Sequence, residues 1–389
     1  MGSLLKMIPL IWKFPKSNIF ECMVLHYFFL KFNGYACFTI VGEMETGEIR
    51  TSIFDRFVFL FHTTLACGLL MASLMFVSPA SNMSPLMIVG GKLIWFTCYI
   101  ATLFGIVWNF LHRSKVWSLY TSVYNVDKLL LSLGAKMYYT ETYIVIIVFS
   151  AIAMGFLSIL DYVQFRDGKA SIVDFLTMSY SNLSLTMLLT IFCIAGCLIL
   201  FRLWTLNRLL EDNLIQTGNP KILPVLEKDS VRTIQKYMQI YDQLCDLTDT
   251  VNFCYSGQVM IAVAGSFVFL LFFLFGVVLF VKRNDPILDF PATTVMWSLF
   301  YFVNVILVVL MGSFLSRTGK ITGNLIDQAI ISSKNAEGTE MLHLFLMQLG
   351  HRSPELTCGL FPFDWTLVYS MVASSTTYLL ILIQFENSR

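Results

Sequence analysis

Hydroxyl and amide side chains recur along one side of the last apolar stretch, which has no charged residue from Trp365 to Phe385. A helix of about 20 residues crosses the hydrocarbon core of a bilayer, so this stretch can span it. At about 100° per residue, one side carries a polar stripe formed by Ser370, Ser374, Thr377, Ile381 and Gln384. Polar groups at membrane depth are costly unless they meet protein or water. The stripe therefore indicates either close packing between helices or a wall that faces a water-filled pore.

Residue types that catalyse reactions or bind metals are scattered over the rest of the chain. The sequence has no Gly-rich phosphate loop, no HExxH motif and no paired Cys motif. Cys193 and Cys197 lie one helical turn apart without a His or acidic neighbour, and we interpret them as apolar filler. We therefore predict that the protein is not an enzyme and needs neither a metal nor a cofactor.

Composition indicates a protein with many membrane spans. The chain has 389 residues, of which 57% are hydrophobic and 13% charged, whereas a soluble domain has about 25% charged residues. The net charge of +1 argues against a nucleic-acid partner. We therefore expect membrane lipid to surround the chain.

Seven apolar runs without Asp, Glu, Lys or Arg predict seven membrane helices in an all-α membrane protein. These runs are Phe57 to Val77, Leu93 to Leu111, Thr142 to Leu160, Phe175 to Phe201, Thr250 to Val281, Phe290 to Ser316 and Trp365 to Phe385. The segment from Ile19 to Val41 is apolar but contains Glu21, Lys31 and Gly34. We predict that it is a helix on or under the membrane surface, with an eighth span as the alternative.

Lys and Arg are distributed unequally between the two sides of the membrane. With seven spans, 20 of these 26 residues fall on the side of the N-terminus. Because positive charge is retained inside, we predict a cytoplasmic N-terminus and an extracellular C-terminus. Asn82, in the sequon Asn82-Met83-Ser84 of the first outer loop, is then a candidate glycosylation site.

Amphipathic patterns in the inner loops predict helices below the membrane. Apolar residues recur at helical spacing from Val231 to Val251 and continue into the fifth span. After the sixth span, a helical pattern continues at Leu325 to Ile330, breaks at Asn335 to Thr339 and resumes from Met341 to Leu349. We therefore divide the chain into six parts. These are a cytoplasmic N-terminal segment with a surface helix (residues 1–56), spans 1–4 (57–201), a cytoplasmic linker with an amphipathic helix (202–249), spans 5–6 (250–316), a second cytoplasmic segment (317–363), and span 7 with a short extracellular tail (364–389).

The end of the chain resembles the insect gustatory receptor family. Thr377-Tyr378, five apolar residues and then Gln384-Phe385 match the signature that closes the last helix of that family. The resemblance implies a homo- or heterotetrameric, ligand-gated channel for monovalent and divalent cations, with a cytoplasmic anchor bundle around a fourfold axis. It also implies a plasma-membrane location in chemosensory neurons, and it agrees with the predicted direction of the chain.

Site residues follow from this resemblance. The last helix would line the pore through Ser370, Ser374 and Thr377, and the family's narrow gate would correspond to Ile381, Gln384 and Phe385. The ligand is expected between the outer ends of spans two to six, where aromatic and polar side chains can form a pocket. The ten predicted ligand residues are Trp95, Tyr99, Asp161, Tyr162, Gln164, Tyr180, Asn182, Trp297, Tyr301 and Asn304.

The expected ligand is a small-molecule tastant. The outer half of the fifth span is almost wholly aliphatic and aromatic, which slightly favours a bitter or other apolar or aromatic compound. A sugar is the alternative, because Trp297, Asp161, Gln164 and Asn182 could also bind hydroxyl groups. A G-protein-coupled receptor with seven helices is a further alternative and predicts an external N-terminus.

Overall fold

The computed structural model describes residues 9–11, 13–41, 48–76, 85–166, 172–215, 226–282, 292–333 and 336–388. The chain is nearly all-helical, which confirms the predicted fold class. The helices are α1 (Ile19–Phe32), α2 (Ile53–Phe76), α3 (Pro85–Leu111), α4 (Arg113–Ser132), α5 (Tyr139–Arg166), α6 (Ile172–Leu210), α7 (Leu226–Lys282), α8 (Ala292–Ser332), α9 (Ala336–His351) and α10 (Trp365–Asn387). Two short strands, β1 (Thr39–Val41) and β2 (Glu48–Arg50), pair in antiparallel register. The predicted glycosylation site Asn82 lies outside the described residues.

Seven helices of the described chain are long and apolar enough to cross a membrane, namely α2, α3, α5, α6, α7, α8 and α10. The predicted number of spans is therefore confirmed. Most of these helices extend past the apolar runs from which they were predicted. α2 begins at Ile53 and includes Asp55, and α5 continues to Arg166.

The N-terminal segment is shorter and more buried than predicted. α1 ends at Phe32, and Gly34 has φ +80°, which turns the chain toward β1. A 14-residue helix is about 21 Å long, too short for a hydrocarbon core of about 30 Å, so the eighth-span alternative is wrong. Lys31 is buried in an ion pair with Asp55, and Glu21 is buried beside Lys13. These charges are neutralised inside the fold.

α7 is a single helix that joins the predicted amphipathic helix to the fifth span. Its 57 residues make a helix of about 85 Å, roughly twice the thickness of a bilayer with its headgroups. Part of α7 must therefore lie outside the membrane. There it packs with α9, where the rings of Tyr241 and Phe345 are 5.9 Å apart.

Two helices outside the membrane spans differ from the prediction. α4 (Arg113–Ser132) was not predicted, although Leu119, Val123, Val126 and Leu130 recur at helical spacing and are buried. α9 begins at Ala336, so the predicted break at Asn335 to Thr339 is wrong from that residue onward.

α6 is the central helix of the molecule. Its membrane window is 83% buried, against 6% for α10. Near its end, the guanidinium of Arg202 donates to both carboxylate oxygens of Asp127 on α4, from Nε at 2.8 Å and from Nη2 at 2.9 Å. α6 therefore fixes the positions of its neighbours, while α10 lies at the periphery of the chain.

Candidate functional site

The start of α10 is anchored to the core of the chain. The Asp364 side chain caps the helix by accepting from the Thr366 backbone N–H at 2.9 Å. The preceding residue, Phe363, is fully buried, with its ring 5.7 Å from that of Phe192 on α6. Gly312 on α8 permits this approach, since a Cβ there would lie 1.9 Å from the Phe363 carbonyl oxygen. The orientation of α10 is thus set at its first turn.

One side of α10 faces α7 and α8 across an apolar cleft of about 580 Å³. Val368, Met371, Ser375 and Leu379 line it from α10. The α10 hydroxyl groups on this side form hydrogen bonds within their own helix, because Ser375 donates to the Met371 carbonyl at 2.8 Å and Thr376 to the Val372 carbonyl at 3.1 Å. This side therefore offers no free hydroxyl hydrogen.

The polar stripe lies on the opposite side of α10 and is not covered by the chain. Ser370, Thr377, Ile381 and Gln384 are exposed and Ser374 is half-buried. Within the described part of the chain, the side chains of Ser370, Ser374 and Gln384 have no hydrogen-bond partner, while Thr377 reaches the Ala373 carbonyl only at 3.5 Å. A spanning helix with such a face needs water or another protein surface to satisfy it.

The three predicted gate residues lie together at the end of α10. Ile381 is 40% exposed and Phe385 63% exposed, and Gln384 is also exposed. Lys282 at the end of α7 donates from Nζ to the Asn387 side-chain oxygen at 2.5 Å. The end of α10 that carries the predicted gate residues is therefore attached to the end of α7.

Four of the ten predicted ligand residues form a buried, hydrogen-bonded cluster between α5, α6 and α8. The Trp297 indole N–H donates to Gln164 Oε1 at 3.1 Å, and the Tyr301 hydroxyl donates to Asn182 Oδ1 at 2.7 Å. Phe269 on α7 packs on the Tyr301 ring at 4.3 Å between centroids. The structure thus joins four of the ten residues directly, in two side-chain hydrogen bonds.

Four more of the ten residues lie around this cluster. The Tyr99 hydroxyl donates to the Thr177 carbonyl at 2.8 Å, and Asp161 accepts from the Ser179 hydroxyl at 2.9 Å. The Tyr180 hydroxyl oxygen lies 3.1 Å from Nδ1 of His62 on α2. Asn304 is buried, and its amide nitrogen has no partner among the described residues.

Two of the ten predicted ligand residues lie apart from the cluster. Tyr162 is 64% exposed on the outside of α5. Trp95 is half-buried and makes no hydrogen bond to any residue that the structure describes. These two side chains contribute no polar contact to the buried group.

α8 connects the ligand cluster with α10. Trp297 and Tyr301 face α5 and α6, whereas Ser298, Leu299 and Phe302 line the cleft toward α10. Sequence analysis missed this cleft because its lining is apolar and resembles any lipid-facing surface. Only the helix packing distinguishes it.

Metal chemistry finds no support in the described residues, which contain no group of three His, Cys, Asp or Glu side chains able to hold an ion. All nine cysteines have free thiols.

Comparisons with known proteins agree with this architecture. The 7tm chemosensory receptor profile matches residues 24–388. Gustatory receptors 28b and 28a of Drosophila melanogaster are 27% identical over 171 residues and 28% identical over 182 residues, which is 42% and 45% of this chain. These alignments span 36% and 40% of the relatives' own length.

Solved structures share the fold at low sequence identity. The insect olfactory receptor OR5 from Machilis hrabei superposes with a TM-score of 0.59 in complex with eugenol and 0.60 in the other structure. The matches cover 94% of this chain and 98% and 100% of the olfactory receptor, at 13% and 11% identity. This likeness concerns the fold.

Proposed function

The chain belongs to the 7tm chemosensory receptor family, and from this premise we propose that it is a tetrameric, ligand-gated, non-selective cation channel of taste. Four copies of α10 would surround one axis and turn their polar stripes toward it. Monovalent and divalent cations would pass along this wall. The assembly could contain four identical chains or include other gustatory receptors.

The observation that carries the proposal is the polar stripe on α10. Ser370, Ser374 and Gln384 have no hydrogen-bond partner among the described residues, on a helix that is apolar enough to span a membrane. Facing lipid, these groups would cost several kcal/mol in total. A water-filled axis shared by four copies removes this cost. The exposed Ile381 and Phe385 would then narrow the axis, and rings of apolar side chains can stop ions by expelling water.

Opening would begin at the ligand cluster. A tastant that binds between α5, α6 and α8 displaces or rearranges Trp297 and Tyr301, and the opposite side of α8 lies against the cleft beside α10. The ligand shifts the equilibrium by binding the open form more tightly than the closed form. Movement of α7 reaches the gate end directly through Lys282 and Asn387.

The packing of the cluster favours an apolar or aromatic tastant, such as a bitter compound. The hydrogen bonds between Trp297 and Gln164 and between Tyr301 and Asn182 are already formed. A sugar would have to break them and replace each one, whereas an apolar ligand needs only ring surface. Asn304, whose amide is unpartnered, could bind one polar group of the ligand.

The proposed location is the plasma membrane of chemosensory neurons, with the N-terminus in the cytoplasm. The part of α7 outside the membrane, together with α4, α9 and the end of α8, would then form the cytoplasmic anchor. Arg352 attaches the segment before α10 to α7 by donating to Asp242 at 2.6 Å and to Asp246 at 2.7 Å.

Two adjacent serines provide the test of the pore wall. Ser374 belongs to the stripe, whereas Ser375 lines the apolar cleft. We expect a charged maleimide to modify Ser374→Cys at least about tenfold faster than Ser375→Cys in purified protein in nanodiscs, because charged reagents react from water and not from lipid. Intact-protein mass gives the rate, and the wild-type chain corrects for its nine native cysteines.

Equal rates at the two positions would contradict a water-filled axis. A panel of tastants on the chain expressed in oocytes tests conduction separately. Whole-cell current evoked by one compound supports the channel, and surface-expressed protein that passes no current with any compound counts against it.

A further inference from the structure

A second cavity lies between α1, α5 and α6, away from the ligand cluster. Its volume is about 260 Å³, slightly below the 300–1,000 Å³ range of typical pockets for drug-sized ligands. Thr190 marks its position on α6, eight residues and so about 12 Å of helix from Asn182. Most of the lining is apolar, including Leu25, Ile146 and Met187.

Three polar side chains from three different helices line this cavity without hydrogen-bond partners. They are His26 on α1, Ser150 on α5 and Thr190 on α6. His26 is 5% exposed and Thr190 6% exposed, whereas Ser150 is half-buried. No described residue hydrogen-bonds to the His26 Nε2 atom or to the two hydroxyl groups. Buried polar groups are nearly always paired in folded proteins, so three unpaired groups around one space, two of them on buried residues, indicate a ligand.

The hydroxyl groups at the cleft beside α10 behave differently. There, Ser375, Thr376 and Ser298 all donate to carbonyls of their own helices. Ser150 and Thr190 lie on α5 and α6 and make no such bond to the described residues. Their hydrogen-bonding capacity remains free for a molecule in the cavity.

The lining also restricts the charge of the ligand. Burial lowers the pKa of His26 to about 4, so the imidazole is neutral at physiological pH. The remaining polar group, the Cys22 thiol, already donates to the Tyr139 carbonyl at 3.1 Å. An ionised ligand would be buried without a counter-charge, which is costly. Hydroxyls and a neutral imidazole can each donate and accept, which matches a ligand group that does both.

We infer that this cavity binds a small neutral molecule with a compact apolar body and one hydroxyl group. The ligand enters between α1 and α5, where Phe29 and Ala151 are exposed at the rim. Its body packs against the apolar walls, and its hydroxyl pairs with His26, Ser150 and Thr190. The site is separate from the ligand cluster of the proposed tastant response.

Thymol and p-cymene form a matched pair of probes, because p-cymene is thymol without its hydroxyl group. Radiolabelled thymol is titrated onto the purified full chain in nanodiscs, and unlabelled p-cymene competes for the bound label. We expect saturable thymol binding and displacement by p-cymene at least about tenfold weaker than by unlabelled thymol, since several free polar groups pair only with the hydroxyl.

Thr190→Val removes one hydroxyl at nearly constant volume. It should weaken thymol binding by about 2- to 10-fold, the effect of one hydrogen bond, and reduce the preference over p-cymene. Thr186→Val is the control, because Thr186 lies one turn away, is equally buried, and donates to the Asn182 carbonyl at 2.8 Å. His26→Leu is a second variant on another helix and should reduce the same preference. Size-exclusion profiles establish that each variant is folded.

Three results would overturn the inference. One is the absence of saturable thymol binding, and another is displacement by p-cymene as effective as by thymol. The third is equal thymol affinity in the Thr190→Val and Thr186→Val variants. These experiments measure binding and not current, so their results do not depend on whether the protein is a channel.

Discussion

The ion pair between Arg202 and Asp127 is a residue-scale determinant of stability. Both side chains are 1% exposed and joined by two hydrogen bonds. Removing one partner leaves a buried charge uncompensated, so Asp127→Ala should lower the free energy of unfolding by about 3–5 kcal/mol. Denaturation of the detergent-purified protein, followed by size-exclusion chromatography, measures the loss.

The exposed pair on the same stretch of chain is the control for this prediction. Arg208 and Asp212 are 3.9 Å apart and 62% and 52% exposed. Arg208→Ala should change the stability by less than about 1 kcal/mol, because water screens the pair. If both variants were equally stable, burial of the Arg202 pair would have no energetic consequence.

Phe385 is the residue whose removal tests the gate. It is 63% exposed at the end of α10, and in the proposed tetramer its ring blocks the axis by excluding water. Phe385→Ala should raise the current without ligand severalfold in oocytes. Val372→Ala, also exposed but on the other side of α10, should leave this current unchanged. An unaltered basal current in Phe385→Ala at normal surface expression would remove Phe385 from the gate.

At the scale of elements, the close contact between α8 and the segment before α10 requires a glycine at position 312. A Cβ at Gly312 would overlap the Phe363 carbonyl oxygen at 1.9 Å. Gly312→Ala must therefore push the segment away from α8, and we expect a loss of about 1–3 kcal/mol in stability together with reduced surface expression.

Gly323 on the same helix is the matched control for that substitution. Nothing lies within 4 Å of a Cβ placed there, so Gly323→Ala should stabilise α8 by about 0.5–1 kcal/mol through reduced backbone freedom. Thermal unfolding of both variants measures the difference. Similar midpoints for the two would show that this close contact can adapt to a methyl group.

Whether the sequence predicted an element depended on what that element packs against. The seven spans followed from apolar runs, since lipid imposes the same requirement on each. α4 was missed because its buried positions are interspersed with polar residues in the segment between two spans. The burial of the α1 charges was not predicted, since no pattern shows that Lys31 pairs with Asp55, 24 residues away.

The parts of the candidate site also differ in how far the sequence could predict them. The stripe on α10 could be predicted because it is periodic within one helix. The pairing of Trp297 with Gln164, and the unpartnered group of His26, Ser150 and Thr190, depend on contacts between helices distant in the chain. Such contacts are determined by tertiary packing and leave no local signal.

At the scale of the whole molecule, the direction of the chain in the membrane separates the proposed channel from a G-protein-coupled receptor. The described chain has seven helices that are long and apolar enough to span a membrane, and with this odd number of spans we expect the two termini on opposite sides. With these spans, 20 of the 26 Lys and Arg residues fall on the side of the N-terminus, and because positive charge is retained inside we expect that side to be cytoplasmic.

Epitope tags at the two termini test this direction. In intact cells, antibody should stain a C-terminal tag and should stain an N-terminal tag only after permeabilisation. The same direction puts the long extramembrane part of α7 in the cytoplasm and the Phe385 end of α10 at the outer surface. Staining of the N-terminal tag in intact cells would reverse every one of these assignments, because the polar stripe, the gate and the ligand cluster are fixed to the same seven helices.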